Sequence, residues 1–154
     1  MTRWTRGEQI IERLITTGEM DTLNKATSDG LPVLEQARRR LKVASAALAI
    51  DPDGAFTNAY DAARLAATAL MTQQGLRPTI TGGHRAIEEA LVAQFGEGFS
   101  RFKVLRRRRH ELDYPDAAYS EASAEEAQDA INTAELFVEK AAQILPELGF
   151  FHDR

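Results

Sequence analysis

Apolar residues recur at alternating spacings of three and four along almost every long segment of the chain. Leu34, Ala37, Leu41, Ala44 and Leu48 form one such stripe, and this spacing places their side chains on one face of an α-helix. Similar segments lie at residues 7–17, 56–71, 84–95, 99–113 and 123–148. No segment shows the alternation of apolar and polar residues that is typical of a half-buried strand. We therefore expect an all-α bundle of about five helices, in which short connections favour antiparallel neighbours.

The chain has 154 residues, a length that suits one domain with a sizeable core. No linker is long enough to divide it, so we expect a single helical domain over residues 1–154. The third helix is rich in alanine, which makes it narrow and permits another helix to approach closely. That neighbour could belong to the same bundle or to a second copy of the chain, and an apolar stripe favours the core. The alanines are Ala59, Ala62, Ala63, Ala66, Ala67 and Ala69.

The composition excludes several classes of site. There is no cysteine, which rules out disulfides, thiolate metal sites and cysteine nucleophiles. The three histidines are scattered and lack the spacing of zinc ligands, so we expect neither a metal nor another cofactor. The N-terminal segment lacks the apolar stretch of a signal peptide, and the longest apolar stretch, residues 43–50, is far too short to span a bilayer. We expect a cytoplasmic protein with no membrane partner.

The net charge of −4 means that the molecule as a whole repels nucleic acid. Any RNA-binding function must therefore come from a local patch, and the basic segment 101–110 provides one. The alternative is a solvated helix whose arginines pair with acids, either one turn along the same helix or at the acidic start of the last helix. The candidate RNA-binding residues are Lys103, Arg106, Arg107 and Arg108.

Arg109, His110 and Tyr114 lie within six residues at a helix end that Pro115 terminates. Arginine carries a permanent charge and binds phosphate in a bidentate way. Histidine can take or give a proton near neutral pH, and a tyrosine hydroxyl can donate to a phosphate oxygen. Cleavage of a phosphodiester without a metal needs a cation for the developing charge and a group that moves the 2′-hydroxyl proton. These three residues are therefore the candidate catalytic residues.

Two segments resemble the HEPN superfamily (higher eukaryotes and prokaryotes nucleotide-binding). The family signature is an arginine, a polar residue directly after it, and a histidine four to six residues beyond the arginine. Arg109 matches the arginine, and His110 stands at the polar position. Residues 58–91, NAYDAARLAATALMTQQGLRPTITGGHRAIEEAL, are similar to the family's alanine-rich helix with its tyrosine, the glycine-containing loop, the histidine and the next helix. Together the segments span residues 58–116 in the family's order.

The resemblance implies an up-and-down bundle of four or five helices that often forms a homodimer, with the motif residues of two protomers meeting across a cleft. It implies RNA cleavage without a metal, frequently by a toxin of a toxin–antitoxin or defence module whose partner is a nucleotidyltransferase antitoxin. The closing histidine of the motif falls at Tyr114 in this chain. Tyrosine ordinarily has a pKa of about 10, which makes it a poor general base at neutral pH. Three interpretations stay open: His110 moves the proton, Tyr114 does so with help from the arginines, or the domain binds RNA without cutting it.

Four further residues are assigned structural roles. His84 follows two glycines at a helix start, where it could join an anion site, but a capping loop is the favoured interpretation. Tyr60 shares a helix face with Arg64 and could flank a cleft, although a tyrosine in an alanine-rich stripe is more often core with its hydroxyl at the rim. Ser123 and Glu126 are spaced as a capping box at the start of the last helix.

Three functions compete on this basis. The first is a metal-independent RNA-cleaving toxin, and the second is a non-catalytic module that binds RNA or a nucleotide, or pairs with a partner protein. The third is a helical interaction domain with no nucleic-acid role, in which the arginines only pair with acids.

Overall fold

Six α-helices and one two-stranded sheet make up the computed structural model, which describes residues 2–116 and 120–152. The helices are α1 (Glu8–Thr16), α2 (Leu31–Ala47), α3 (Pro52–Gln73), α4 (Gly83–Phe95), α5 (Arg101–Asp113) and α6 (Ala124–Ile144). The strands are β1 (Met20–Thr22) and β2 (Leu76–Pro78), and short 3₁₀ segments cover Lys25–Thr27, Glu97–Phe99 and Leu145–Glu147. The prediction of an all-α fold is confirmed. Within the part of the chain that the structure describes, no helix is both long and apolar enough to cross a membrane.

The small sheet connects the segment after α1 to the loop before α4. Its strands are antiparallel, with Met20 opposite Pro78 and Thr22 opposite Leu76. Met20 and Leu76 are buried, so the sheet closes over the core. The sequence does not predict this sheet, because strands of three residues are too short to show an alternating pattern. Its effect is to fix the position from which α4 begins.

Helix α3 lies at the centre of the fold and packs most extensively against α2 and α6, while α4 and α5 pack on its remaining surface. The six alanines predicted to form a narrow core surface are each no more than 2% exposed. Because alanine ends at Cβ, neighbouring helices can pack closely against α3. The interpretation of this stripe as core packing within one chain is therefore confirmed.

Stacked aromatic rings set the rotation of α5 about its own axis. The Phe102 ring centroid lies 5.5 Å from that of Tyr60 on α3 and 6.4 Å from that of Phe137 on α6, with interplanar angles of 29° and 23°. All three rings are buried. Arg109 follows Phe102 by seven residues, or about two helical turns, and therefore lies on the same face of α5. The aromatic stack thus directs Arg109 towards α3.

Ser123 begins α6 in the way that the capping box predicts. Its hydroxyl accepts a hydrogen bond from the amide of Glu126 at 3.0 Å. The second hydrogen bond of a capping box would run from the amide of Ser123 to the Glu126 carboxylate. That part of the prediction is wrong, because the carboxylate accepts from Nε of Arg108 at 2.6 Å instead. A guanidinium is a charge-assisted donor and so a stronger partner for the carboxylate than a neutral backbone amide.

We expect Ser123→Ala to lower the free energy of unfolding by about 1 kcal/mol, because the substitution removes the N-cap acceptor of α6. Urea denaturation followed by circular dichroism measures the change. Ser120→Ala is the matched control, since the exposed Ser120 side chain makes no hydrogen bond with any described residue. Equal stabilities for the two variants would show that the cap contributes nothing.

Candidate active site between the fourth and fifth helices

Helices α4 and α5 border a cavity of about 270 Å³ at the N-terminus of α4. Loop residues 80–83 form one wall, and the remaining lining side chains are basic or imidazole groups. These are His84, Arg85, Arg106, Arg109 and His110. Since none of the lining residues is acidic, the cavity has a positive potential and suits an anion.

Two glycines allow the loop to form the wall of the cavity. A Cβ atom at Gly82 would overlap the backbone oxygen of Glu19, while Gly83 has a φ of 51°, in the left-handed region that favours glycine. The loop can therefore pack against the backbone near β1 and turn at once into α4. The first amides of α4, including those of His84 and Arg85, lack intrahelical acceptors as at any helix start. They add to the positive potential of the cavity.

Tyr60 on α3 supports His84 from the interior. The Tyr60 hydroxyl lies 2.6 Å from Nδ1 of His84, and the tyrosine is completely buried. Burial raises the pKa of Tyr60 far above its ordinary range, so the phenol is neutral. Burial first, and then the charges of Arg64 and Arg109, lower the pKa of His84 below its ordinary value. The imidazole of His84 is therefore uncharged at neutral pH.

Arg109 lies between Tyr60 and the cavity. Its guanidinium carbon is 5.3 Å from the centroid of the Tyr60 ring, within the range of a cation–π contact. One terminal nitrogen lies 3.2 Å from the carboxylate of Asp113, one turn along α5. Nε of Arg109 is buried and has no hydrogen-bond partner among the residues that the structure describes. The guanidinium is thus held at the cavity with unused hydrogen-bonding capacity.

The structure brings two of the three predicted catalytic residues together at the cavity. Arg109 and His110 both line it, with His110 at the exposed rim. Tyr114 does not line it. This residue is 70% exposed, and its ring centroid lies 4.9 Å from that of His110. The backbone leaves the helix at Tyr114, with φ of −127° and ψ of 68°. The catalytic roles of the three residues stay predictions.

The predicted RNA-binding arginines divide into paired and unpaired side chains. Nε of Arg106 donates to Glu88 on α4 at 2.5 Å. Arg108 donates to Glu126 at 2.6 Å and to Glu111 at 3.1 Å, and hydrogen bonding to Glu126 raises its pKa. The alternative in which arginines pair with the acidic start of the last helix therefore describes Arg108. Its hydrogen bonds keep that side chain against α6.

Four cations line a larger groove that adjoins the cavity along α4 and α5, with a volume of about 770 Å³. One of them is Arg106, which pairs with Glu88. Arg85, Lys103 and Arg107 are exposed there and form no ion pair with any residue in 2–116 or 120–152. The two acids of the groove, Glu88 and Glu89, each pair with an arginine instead. The groove therefore has a net positive surface continuous with the cavity, although the protein as a whole is negative.

The sequence analysis favoured purely structural roles for Tyr60 and His84. In the folded protein both residues lie beside Arg109. Tyr60 is core with its hydroxyl at the edge, as expected, but that hydroxyl bonds to the histidine of the loop. The sequence did contain a signal that both residues belong to the site. Both lie within residues 58–91, the segment that resembles the family's tyrosine-containing helix, loop and histidine. Their local surroundings do not reveal a contact between residues 24 positions apart.

We expect the stability of the protein to fall between pH 7.5 and pH 5.5, with part of the fall caused by His84. The pKa of His84 is lowered from the ordinary 6.5, so the unfolded chain takes up the proton first. This contribution to stability is complete above pH 6.5 and is lost as the pH falls from there through the folded pKa. The charged groups that face His84 are Arg64, Arg106 and Arg109, which lower its pKa, and Asp61, which raises it. Urea denaturation at both pH values measures the change.

His84→Gln is the comparison for this pH effect, because glutamine does not titrate while His110 and His152 remain in both proteins. The stability lost on acidification should be smaller in the variant. An identical loss would mean that His84 titrates as freely in the folded protein as in the unfolded chain.

In the described part of the chain, no group of three or more histidine, cysteine, aspartate or glutamate side chains is placed to hold a metal ion. The donors at the cavity are guanidinium, imidazole and amide groups, which suit an anion rather than a cation.

The comparisons with known proteins identify one family. The family model described as HEPN domain matches residues 32–145, which include α3 to α6 in full and every residue of the cavity. No curated protein and no solved structure matches the chain.

Proposed function

Because the chain belongs to the HEPN domain family, whose functions are related to nucleotides or RNA, we propose that it is a metal-independent RNA-cleaving toxin of a prokaryotic toxin–antitoxin or defence module. The observation that carries this proposal is the cavity lined by Arg109, His110 and His84 without any acid. A phosphodiester supplies the negative charge and the acceptor oxygens that such a cavity lacks. The adjoining groove offers further cations to the strand on one side of the scissile phosphate.

In the proposed reaction the scissile phosphate lies in the cavity, and Arg109 neutralises the charge that develops on its oxygens. His110 takes the proton of the neighbouring 2′-hydroxyl, whose oxygen forms a bond to phosphorus. The bond between phosphorus and the 5′-oxygen breaks, and that oxygen takes a proton from water. The products are a 2′,3′-cyclic phosphate end and a 5′-hydroxyl end. Tyr114 packs on the His110 ring, so in this scheme it orients the base rather than replacing it.

A second candidate is a non-catalytic HEPN module that binds RNA or a nucleotide. It is favoured by the position of Tyr114, which stands where the family motif has its closing histidine and does not line the cavity. Arg109 also already pairs with Asp113. A site of this kind would hold a phosphate with the same cations but would lack a second histidine on α5 to move protons.

Incubation of the purified protein with single-stranded RNA in excess EDTA separates these functions. Cleavage that survives chelation and yields 2′,3′-cyclic phosphate ends supports the toxin. Cleavage should stop when the nucleotide on the 5′ side of the cut carries 2′-deoxyribose, because the attacking hydroxyl is gone. Retention of RNA without cleavage, weakening steeply as salt rises, supports the binding module instead. If RNA is neither cut nor bound, both the toxin and the binding module are excluded. Energetic coupling between Arg108 and Glu126 in a double-mutant cycle would then support a helical interaction domain.

The proposal includes a homodimer and a nucleotidyltransferase antitoxin, which the resemblance to the HEPN superfamily implies, and a cytoplasmic location, which the sequence composition led us to expect. Light scattering measures the oligomeric state. Where a nucleotidyltransferase is encoded beside this gene, co-expression of the two proteins tests whether it protects cells from toxicity. A monomer in solution that nonetheless cuts RNA would remove the dimer from the proposal.

A further inference from the structure

The contact between Tyr60 and His84 fixes where the imidazole carries its proton. The Tyr60 hydroxyl is buried, and Nδ1 of His84 at 2.6 Å is its hydrogen-bond partner among the described residues. If Nδ1 donated to the hydroxyl, the hydroxyl hydrogen would be left buried without an acceptor, which is unfavourable. The hydroxyl therefore donates and Nδ1 accepts. A neutral imidazole that accepts at Nδ1 carries its hydrogen on Nε2.

Nε2 lies on the far edge of the ring from the buried phenol, and His84 lines the cavity. Nε2 makes no hydrogen bond with any residue that the structure describes. The histidine therefore presents a neutral N–H donor to the cavity, next to the guanidinium of Arg109 and the first amides of α4. All of these groups donate, so a ligand here must accept through several oxygens and carry negative charge.

We propose that the cavity is a phosphate subsite in which Tyr60 holds His84 in the Nε2–H form, so that His84 donates to a non-bridging phosphate oxygen. The inference deepens the proposed function, since the phosphate would belong to an RNA strand. The two histidines of the cavity then have different roles: His110 moves the proton, and His84 binds the phosphate. With Nδ1 occupied by Tyr60 and Nε2 already protonated, His84 has no free lone pair with which to act as the base.

The tautomer is measured directly by long-range proton–nitrogen correlation on ¹⁵N-labelled protein at pH 7.5. We expect the His84 nitrogens to show a protonated Nε2 and an unprotonated Nδ1. In Tyr60→Phe, which keeps the ring stacked on Phe102 but removes the donor, the two tautomers should mix. A protonated Nδ1 in the wild-type protein overturns the proposal.

The ligand is tested with two probes, inorganic phosphate and a 2′-O-methyl RNA oligomer that has no free 2′-hydroxyl and so is not cleaved. Both should shift the Nε2 proton of His84. His84→Ala should bind the oligomer about tenfold or more weakly. His84→Gln should recover most of that loss, because a glutamine side-chain N–H can take the place of Nε2–H. A general base is not rescued by glutamine, so recovery of both binding and cleavage in this variant distinguishes the donor role.

The outcomes separate this inference from the proposed function. RNA cleavage with a His84 signal that neither probe moves overturns the phosphate subsite and leaves the nuclease standing. A His84 signal that moves with both probes, in a protein that does not cut RNA, supports the subsite and removes the nuclease. A response to inorganic phosphate without a response to the oligomer overturns the assignment of the site to an RNA strand.

Discussion

Replacing Arg109 with alanine is expected to lower the rate of RNA cleavage by at least about 100-fold, the loss typical of removing one preorganised donor from the charge that develops in a transition state. The guanidinium lies at the cavity, and its buried Nε has no partner among the described residues. A charge in such a partly enclosed position acts more strongly than the same charge in open solvent. Initial rates on one defined single-stranded RNA, at saturating substrate, measure the effect on kcat.

The fold should survive Arg109→Ala. The substitution removes an ion pair with Asp113 one turn away and a cation–π interaction with Tyr60, which together stabilise the protein by about 1 kcal/mol. That is small beside a domain stability of about 5–15 kcal/mol. Arg109→Lys keeps the charge but loses the planar guanidinium, so it should recover only part of the rate.

Arg107→Ala is the matched control for the Arg109 experiment. It removes the same charge two residues away on α5, from an exposed side chain that forms no ion pair with any residue in the described ranges. Loss of the Arg107 side chain from the groove should weaken RNA binding, so KM should rise a few-fold while kcat stays unchanged. The slope of log binding constant against log salt concentration should be smaller by about one. Equal losses of kcat in both variants would show a general effect of charge, and an unchanged rate in Arg109→Ala would exclude this cavity as the catalytic site.

The elements that depend on local spacing are the ones that the sequence predicts well. Leu34, Ala37 and Ala44 of α2 and the alanines of α3 are helical and buried because periodicity alone determines which face is apolar. Leu41 and Leu48 of the same stripe are partly buried against the core, and Leu48 directly follows the last residue of α2. Arg109 and His110 reach one cavity for a similar reason, since they are adjacent near the end of one helix. Tyr114 does not line the cavity, because α5 ends at Asp113. Beyond that residue, helical spacing no longer determines the direction of the side chain.

Contacts between helices are what the sequence does not determine. Arg106 and Arg108 each pair with an acid 18 residues away, Glu88 before α5 and Glu126 after it. Nothing in the run of four arginines shows which two pair with an acid on another helix and which one stays unpaired at the groove. The position of His84 depends in the same way on the small sheet and on the glycine loop that starts α4. The cavity is therefore a product of tertiary packing, while its arginines and histidines are visible in the sequence.

Phe102→Ala is expected to lower the free energy of unfolding by about 3–5 kcal/mol, the usual cost of removing a fully buried aromatic ring. The ring fills the space between Tyr60 and Phe137, and the rigid helices on either side can close that space only in part. Guanidinium chloride denaturation followed by circular dichroism measures the loss. Phe102→Leu, which keeps most of the volume, should cost under about 2 kcal/mol. A loss below about 1 kcal/mol in Phe102→Ala would mean that the ring is loosely packed.

Phe102→Leu also tests whether packing positions the site. Phe102 does not line the cavity, yet its ring supports the face of Tyr60 and determines the rotation of α5, and Arg109 lies two turns further along that face. If this stack positions the guanidinium, Phe102→Leu should lose more cleavage than its folded fraction accounts for, with kcat falling and RNA binding largely kept. If activity follows the folded fraction alone, Arg109 is positioned by its own contacts with Asp113 and Tyr60. Measuring both quantities at one temperature, where the variant is still folded, decides between the two.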